Sequence, residues 1–207
     1  MKRLDGGDSA DNENSMERTV PARYFVDLYL ENADPWNFTT SEYEHSKYQT
    51  TLAALPRERY RNACELGCSI GVFTQLLAQR CNRLVAVDVS EKALESARER
   101  CRSAGNVTFE KIDLLESYPE GTFDLTTVCE LGYYFSRGDL DNLCRRIVAH
   151  SEPGATILLV HFTPPAPGHA LPAGEVHERF RTDPQLRHIH GFDRSTYRLD
   201  AFERLSQ

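Results

Sequence analysis

The sequence predicts a single α/β domain with a mostly parallel seven-stranded sheet, helices on both faces and an antiparallel hairpin at one edge. Three observations carry this prediction. From Arg61 onward, short apolar runs alternate with helical segments of ten or more residues, the rhythm of βαβ units. Runs such as 83–88 (RLVAVD) and 155–161 (ATILLVH) bury residues on both sides, as central parallel strands require. The length of 207 residues, 40% hydrophobic and 27% charged, suits one core rather than two.

In chain order, residues 1–18 are polar and read as a disordered tail, and residues 20–30 (VPARYFVDLYL) carry a mixed pattern. Asp34-Pro35-Trp36-Asn37-Phe38 is a turn holding the only Trp. Ser41 followed three positions on by Glu44 reads as a capping box, opening a helix that runs to Leu55 before Pro56 stops it. Strand one covers 63–66. A helix over 72–79 then presents Phe73, Leu76 and Leu77 on one face. Strand two is 83–88, and Ser90 caps a helix through Arg102. Strands three and four are 107–112 and 123–129. A helix over 139–150 leads into strand five, 155–161. Beyond it come a Pro-rich loop (164–172), a short helix around 174–180 and two weak strands, 187–192 and 197–202, suited to the edge hairpin.

Composition narrows the class of partner. Lys and Arg number 24 against 31 Asp and Glu, giving a net charge of −7 with no basic stripe, so nucleic acid is not expected. The longest purely apolar run, 157–160, is far short of a membrane span, and the polar start lacks the apolar stretch of a secretory signal. A cytoplasmic location is expected. The six cysteines form no CxxC pair and read as small core residues, with no metal expected.

The chemistry concentrates at the end of strand one, in Glu65-Leu66-Gly67-Cys68-Ser69-Ile70-Gly71 ahead of a helix. A dinucleotide fingerprint needs glycine where Ser69 and Val72 stand. A nucleophile elbow, G-x-S-x-G, matches Gly67 to Gly71 literally, with Asp124 and His161 following in hydrolase order, but such an elbow lies after several strands, not after the first. The third reading takes in three acids, Glu65, Asp88 and Asp113, each at the end of a successive strand. Acids so placed face one pocket outside the carboxyl ends of the sheet. Asp88 suits the paired hydroxyls of a ribose, and Asp113, one strand further out, the exocyclic amine of an adenine. Singly, each acid is also an ordinary helix-start or turn residue.

Residues 63–161, with Phe123-Asp124-Leu125 opening strand four, resemble the Rossmann-like class I methyltransferases that use S-adenosylmethionine (SAM). The resemblance implies SAM as cofactor and S-adenosylhomocysteine (SAH) as product. It places Glu65 near the methionine end, Gly67 and Gly71 in the wall with Ser69 at the family's middle glycine, Asp88 with Val89 at the ribose, and Asp113 with Leu114 at the adenine. Upstream, Asp34-Pro35-Trp36-Asn37-Phe38, Thr40 to Glu44 and Lys47-Tyr48 resemble the NodS family, as does Glu130-Leu131-Gly132-Tyr133-Tyr134, where a larger apolar residue is expected at Gly132. That family methylates the nitrogen of a terminal glucosamine on chitin oligosaccharides. Residues 19–60 then become a helical lid and 61–207 the SAM-binding core, with acceptor contacts expected from about 162–185, where the departure from the family is clearest.

For the acceptor, a small molecule or an oligosaccharide, Glu130 at the end of strand four is the first contact, with a helix cap or an Arg salt bridge as the plainer reading. His161, ending strand five, is the candidate proton acceptor, against a hydrogen-bonded structural histidine. Tyr133 offers an aromatic face to a sugar or a sulfonium, or ordinary packing. Trp36 belongs to the lid, and Lys47 is expected to pair with the SAM carboxylate. Transfer to a hydroxyl of another small molecule and SAM sensing without turnover stay open as alternatives. Nothing in the sequence speaks to oligomeric state.

Overall fold

A computed structural model describes residues 18–206, so the tail expected over 1–18 lies, apart from Arg18, outside the described residues. The strands are β1 (Tyr60–Leu66), β2 (Cys81–Asp88), β3 (Val107–Lys111), β4 (Phe123–Cys129), β5 (Ser151–Phe162), β6 (Leu186–Asp193) and β7 (Tyr197–Arg204). They form one Rossmann-like sheet in the order β3-β2-β1-β4-β5-β7-β6. The first five are mutually parallel, and β7 runs antiparallel to both of its neighbours. The expected edge hairpin is present, with its second strand innermost. β7 carries the buried Leu199, Ala201 and Phe202, whereas β6, after the buried Leu186, alternates between half-buried and exposed positions, as an edge strand does.

The helices are α1 (Ala22–Glu31), α2 (Glu42–Ala53), α3 (Val72–Leu77), α4 (Glu91–Arg100), α5 (Arg137–Ala149) and α6 (Ala173–Arg181). Alternate strand residues serve opposite faces. Ile157 and Leu159 join Leu143 and Ile147 of α5 and Val176 and Phe180 of α6, while Leu158 and Val160 join Phe73 and Leu77 of α3 and Tyr48 of α2. Each fully buried Leu, Ile or Phe contributes about 1.5–3 kcal/mol relative to exposure, so this period-2 split fixes the strand register. The six cysteines are free thiols and five are buried. Among the described residues no helix is long and apolar enough to cross a membrane.

Several boundaries differ from the sequence expectation for physical reasons. The mixed segment at 20–30 is helical as α1, anchored by the buried Tyr29 against Ile70 and Ala93. Helix α5 starts two residues earlier than expected because Ser136, not a later residue, caps it by accepting from the Asp139 N–H at 3.2 Å. The capping box at α2 is half made. Ser41 Oγ accepts from the Glu44 N–H at 3.2 Å, but the Ser41 N–H goes to the Asn37 carbonyl, and the Glu44 carboxylate is diverted to Lys47. Strand β5 begins at Ser151, its ladder to β4 slipping between Phe123 and Leu125.

Candidate active site

The strand order reverses between β1 and β4, and the loop leaving β1 occupies that switch point. Gly67, Ser69 and Gly71 have φ of 74°, 53° and 78°, three left-handed residues within five. The N–H groups of Gly67 and Cys68 both donate to the Val87 carbonyl, at 2.9 and 2.8 Å, tying the loop to β2. Ser69 stands where glycine would be unstrained. Its left-handed backbone costs about 1–2 kcal/mol, offset by its N–H donating to Asp88 Oδ2 at 2.9 Å and by the Tyr29 hydroxyl of α1 donating to its Oγ. Gly71 was expected in the ligand wall, and the structure corrects this. It does not line the cavity; a Cβ there would lie 2.9 Å from the Ala97 Cα, so its role is the close approach of α3 to α4.

A cavity of about 380 Å³ lies over the carboxyl ends of β1 to β4, and Glu65, Asp88 and Asp113 all line it. Asp88 accepts from the Ser69 and Ser90 N–H groups, both at 2.9 Å, and burial pushes its carboxyl up against the pull of these bonds. Asp113 Oδ1 closes a turn by accepting from the Leu115 N–H at 2.9 Å. The plainer helix-start and turn readings are thus true of both residues, and each still lines the cavity. Glu65 is different. It is 3% exposed, its Oε2 has no hydrogen-bond partner, and burial pushes its carboxyl up to about 8, with a further push from Asp88 and a partial pull down from Thr74. Val89 and Leu114 complete this side, and Gly67 and Ser69 line it too.

The opposite wall is built around Glu130, whose φ of 53° turns the chain sharply at the end of β4. Its Oε1 receives the Lys47 ammonium at 2.5 Å, and its Oε2 receives the Tyr133 hydroxyl at 2.6 Å and the Phe162 N–H at 2.8 Å. Lys47 also donates to Glu44 at 2.9 Å and is 3% exposed. Burial alone drives an ammonium toward neutrality, but the two carboxylates hold Lys47 well above its ordinary range. Lys47, expected to pair with the SAM carboxylate, lines the cavity with Glu44 and Glu130 of this chain as its partners. Trp36 lines the cavity, stacked on Phe38 at 5.5 Å.

His161 is not where a proton acceptor must be. It is fully buried and outside the cavity lining, its Nε2 accepting from the Gly132 N–H at 2.9 Å and its Nδ1 facing His177 Nε2 at 3.1 Å. Burial, then the neighbouring His177, pull its imidazole well below the usual histidine range. The expected catalytic role gives way to the structural one. The hydrolase alternative falls with it: Asp124 accepts from the Arg61 and Asn62 N–H groups at the other end of the sheet, and Ser69 Oγ bonds to Tyr29. Gly132, where a larger residue was expected, has no room for one. A Cβ would sit 2.4 Å from Val176 Cγ1 and 3.0 Å from His161 Nε2. Gly132→Ala is expected to lose about 1–3 kcal/mol in urea unfolding; a loss below about 0.5 kcal/mol, the size of a neutral surface change, counts against this packing.

Residues that sequence reasoning did not single out complete the site. Tyr24, Phe25 and Tyr29 of α1 line the cavity, and the i, i+4 spacing of Phe25 and Tyr29 was their only signal. Phe162 and His169 line it from beyond β4, and for His169, inside a Pro-rich loop, no pattern pointed inward.

The profile of the Nodulation protein S (NodS) family matches residues 22–163. Nodulation protein S of Rhizobium tropici is 30% identical over 139 residues, covering 67% of this chain and 53% of that protein. Nodulation protein S of Bradyrhizobium diazoefficiens is 32% identical over 127 residues, covering 60% of this chain and 61% of that one. This chain therefore spans between half and two thirds of these relatives. Among solved structures, the N-methyltransferase NodS from Bradyrhizobium japonicum in complex with SAH superposes with a TM-score of 0.79 at 24% identity, covering 88% of this chain and 98% of that one, a likeness of fold.

Proposed function

The chain belongs to the NodS family, matched across residues 22–163, and we propose that it is a SAM-dependent N-methyltransferase acting on the amine of an amino sugar or chitooligosaccharide-like acceptor. The observation that carries this reading is the convergence of Glu65, Asp88 and Asp113, from the ends of three adjacent strands, on one cavity. The donor set fits the cofactor: a buried carboxylate oxygen without a partner awaits a cationic group, and Asp88 keeps lone pairs for hydroxyl donors. When bound, SAM supplies a methyl group on a positively charged sulfur. In this reading residues 19–60 are the lid and 162–185 supply acceptor contacts.

The chain's own residues then have three tasks. Gly67, Ser69 and Val89 position the reactants, and alignment of this kind supplies about 7–11 kcal/mol of a bimolecular barrier. The Glu44, Lys47 and Glu130 group carries two carboxylates and one ammonium, so its remaining negative charge favours arrival of a protonated amine. Tyr133 has its hydroxyl hydrogen committed to Glu130, which leaves its oxygen as an acceptor for an amine hydrogen. The Glu130 carboxylate already accepts from Lys47, Tyr133 and the Phe162 N–H, so its task in this reading is to position Tyr133 and Lys47.

Titration calorimetry with SAH and transfer of labelled methyl from SAM to chitosan oligomers test this reading, with product fragmentation separating nitrogen from oxygen transfer. No SAH binding at high micromolar concentration sinks it, and binding without transfer leaves a sensor. Asp88→Ala is expected to weaken SAH binding about 10–100-fold, the worth of hydrogen bonds to a charged group. A second expectation concerns pH. Glu65 is held protonated up to about 8, and a cationic ligand draws its ionised form, so wild-type affinity should climb as pH rises toward that value and then level off. Proton release at pH 6.5, seen as buffer-dependent binding enthalpy, should vanish in Glu65→Gln; a release that survives the substitution assigns it to another group.

A further inference from the structure

We propose that His169, stacked on Tyr133 at the cavity mouth, is the group that takes the proton from the acceptor amine before methyl transfer. This rests on the reading of the function given above and names a catalytic residue for it. The residue lies beyond the family-matched span of 22–163, in the segment where this chain is its own.

The loop that carries His169 is built to hold it. Pro164, Pro165 and Pro167 stiffen the approach, and Gly168, at φ +86°, makes the left-handed turn that brings the next residue inward. The N–H groups of Ala170 and Leu171 then both donate to the Tyr133 carbonyl, at 2.8 and 3.1 Å. The two rings lie parallel, centroids 3.7 Å apart and 15° between planes, and the Tyr134 ring meets His169 edge-on at 5.6 Å. The imidazole is thus clamped on two sides, while it remains half-buried and part of the cavity lining.

His161 has both ring nitrogens engaged within the fold and lies outside the cavity. The polar contacts of the described residues include none to the His169 ring nitrogens, although its neighbours bond densely among themselves. Packing explains the stack but not a basic nitrogen left open beside the Tyr133–Glu130 pair. The titratable groups around His169 are Tyr133 and Tyr134, whose rings touch it, Glu130 and His161, which act on its charge, and Tyr24, whose hydroxyl lies beside Gly168. Burial holds the imidazole below its ordinary range, against an upward pull from Glu130, so it is a neutral base at physiological pH.

The acceptor's ammonium gives one proton to a His169 ring nitrogen and becomes a neutral amine. The freed nitrogen lone pair forms the new N–C bond while the C–S bond breaks, its electron pair staying on sulfur. The products are a methylated ammonium, a neutral thioether and a protonated imidazole that returns its proton to solvent.

His169→Phe keeps an aromatic ring on Tyr133 and removes the base, and His169→Gln serves as a second variant should Phe impair folding. SAH affinity by calorimetry is expected to stay within about twofold of wild type, while transfer from SAM to chitosan oligomers falls about 10²-fold. The acidic limb of the wild-type rate profile should move in both variants to the ionisation of the acceptor amine itself, and added imidazole should restore part of the rate of His169→Ala. Independently of turnover, the His169 ring resonances of the SAH-bound protein should shift, and their titration midpoint move, on addition of chitosan oligomers. Full wild-type rate with an unchanged pH profile in His169→Phe overturns the assignment of His169 alone. Wild-type protein that binds SAH yet moves no label to chitosan oligomers overturns the functional reading and this role together.

Discussion

Lys47→Met is expected to remove about 3–5 kcal/mol of stability at pH 8, because it strands two carboxylates around a side chain of nearly equal length. Glu44 and Glu130 both bond the Lys47 ammonium, which is 3% exposed, so water cannot take its place without opening α2 from the sheet. A pair on the surface is worth only about 0–1 kcal/mol, and burial is what separates the two cases. The pH dependence has a definite sign. Burial already raises the Glu44 carboxyl in the intact protein, and loss of the ammonium raises it further above its unfolded value near 4.3. The folded variant then binds more protons than its unfolded chain, so its deficit grows as pH rises from about 5 and shrinks toward acid. Urea unfolding at pH 5.5 and 8 checks this. Adding Glu130→Gln to Lys47→Met should recover part of the loss at pH 8, since one stranded charge is gone. A variant within about 1 kcal/mol of wild type at pH 8 places this cluster among ordinary surface pairs.

The acid-lined half of the cavity was legible because its residues are tied to the strand period. Glu65, Asp88 and Asp113 end or follow strands whose apolar runs are unmistakable, and knowing the strand ends places the acids on one edge of the sheet. The glycines were legible as turns, but their duties were not. Gly71 and Gly132 are fixed by close contacts with Ala97 and Val176, residues 26 and 44 positions further along, and nothing local encodes such contacts. Lys47 was expected to pair with the SAM carboxylate; its partner Glu130 lies 83 positions away, so the ion pair was invisible. His161 and His169 show the limit most plainly. One histidine ends a strand and looked chemical, the other sits among prolines and looked inert; the fold buries the first and opens the second onto the cavity. Burial of a single polar side chain depends on packing between distant elements, and periodicity carries no record of it.

The interior that absorbed His161 predicts the second large effect. From Gly132 a hydrogen-bonded chain crosses the sheet: the Gly132 N–H donates to His161 Nε2, which leaves Nδ1 of that ring to donate to His177 Nε2, and His177 Nδ1 then donates to Asp200 Oδ2 at 2.8 Å. Asp200, 1% exposed, also accepts from Arg198 Nε at 2.6 Å and, on Oδ1, from His188 at 2.6 Å and Arg181 at 3.0 Å. Burial by itself raises this carboxyl, but the bonds from His177, His188 and Arg198 reverse it and hold it well below the usual carboxylate range. Asp200→Ala therefore leaves a buried His177 N–H without an acceptor and takes the counter-charge from the guanidinium groups; about 3–5 kcal/mol should be lost at pH 8. Asp200→Asn, which keeps an acceptor for His177, should lose less. The same chain makes the wild-type protein acid-sensitive. His161 and His177 are both depressed by burial, so the unfolded chain takes up protons below about 6.5 that the folded one refuses. Their stabilising effect is complete above that pH and fades as pH falls, by up to about 1.4 kcal/mol per unit for each ring. Urea unfolding at pH 8, 6 and 5 should show this decline in wild type, and His161→Gln, which cannot protonate, should flatten part of it. A wild-type stability that is level from pH 8 to 5 contradicts a neutral, buried pair of histidines. Because this chain ends on the Gly132 N–H, one residue before Tyr133, the same acid step that loosens it should also release the Tyr133 ring from its place between Glu130 and His169.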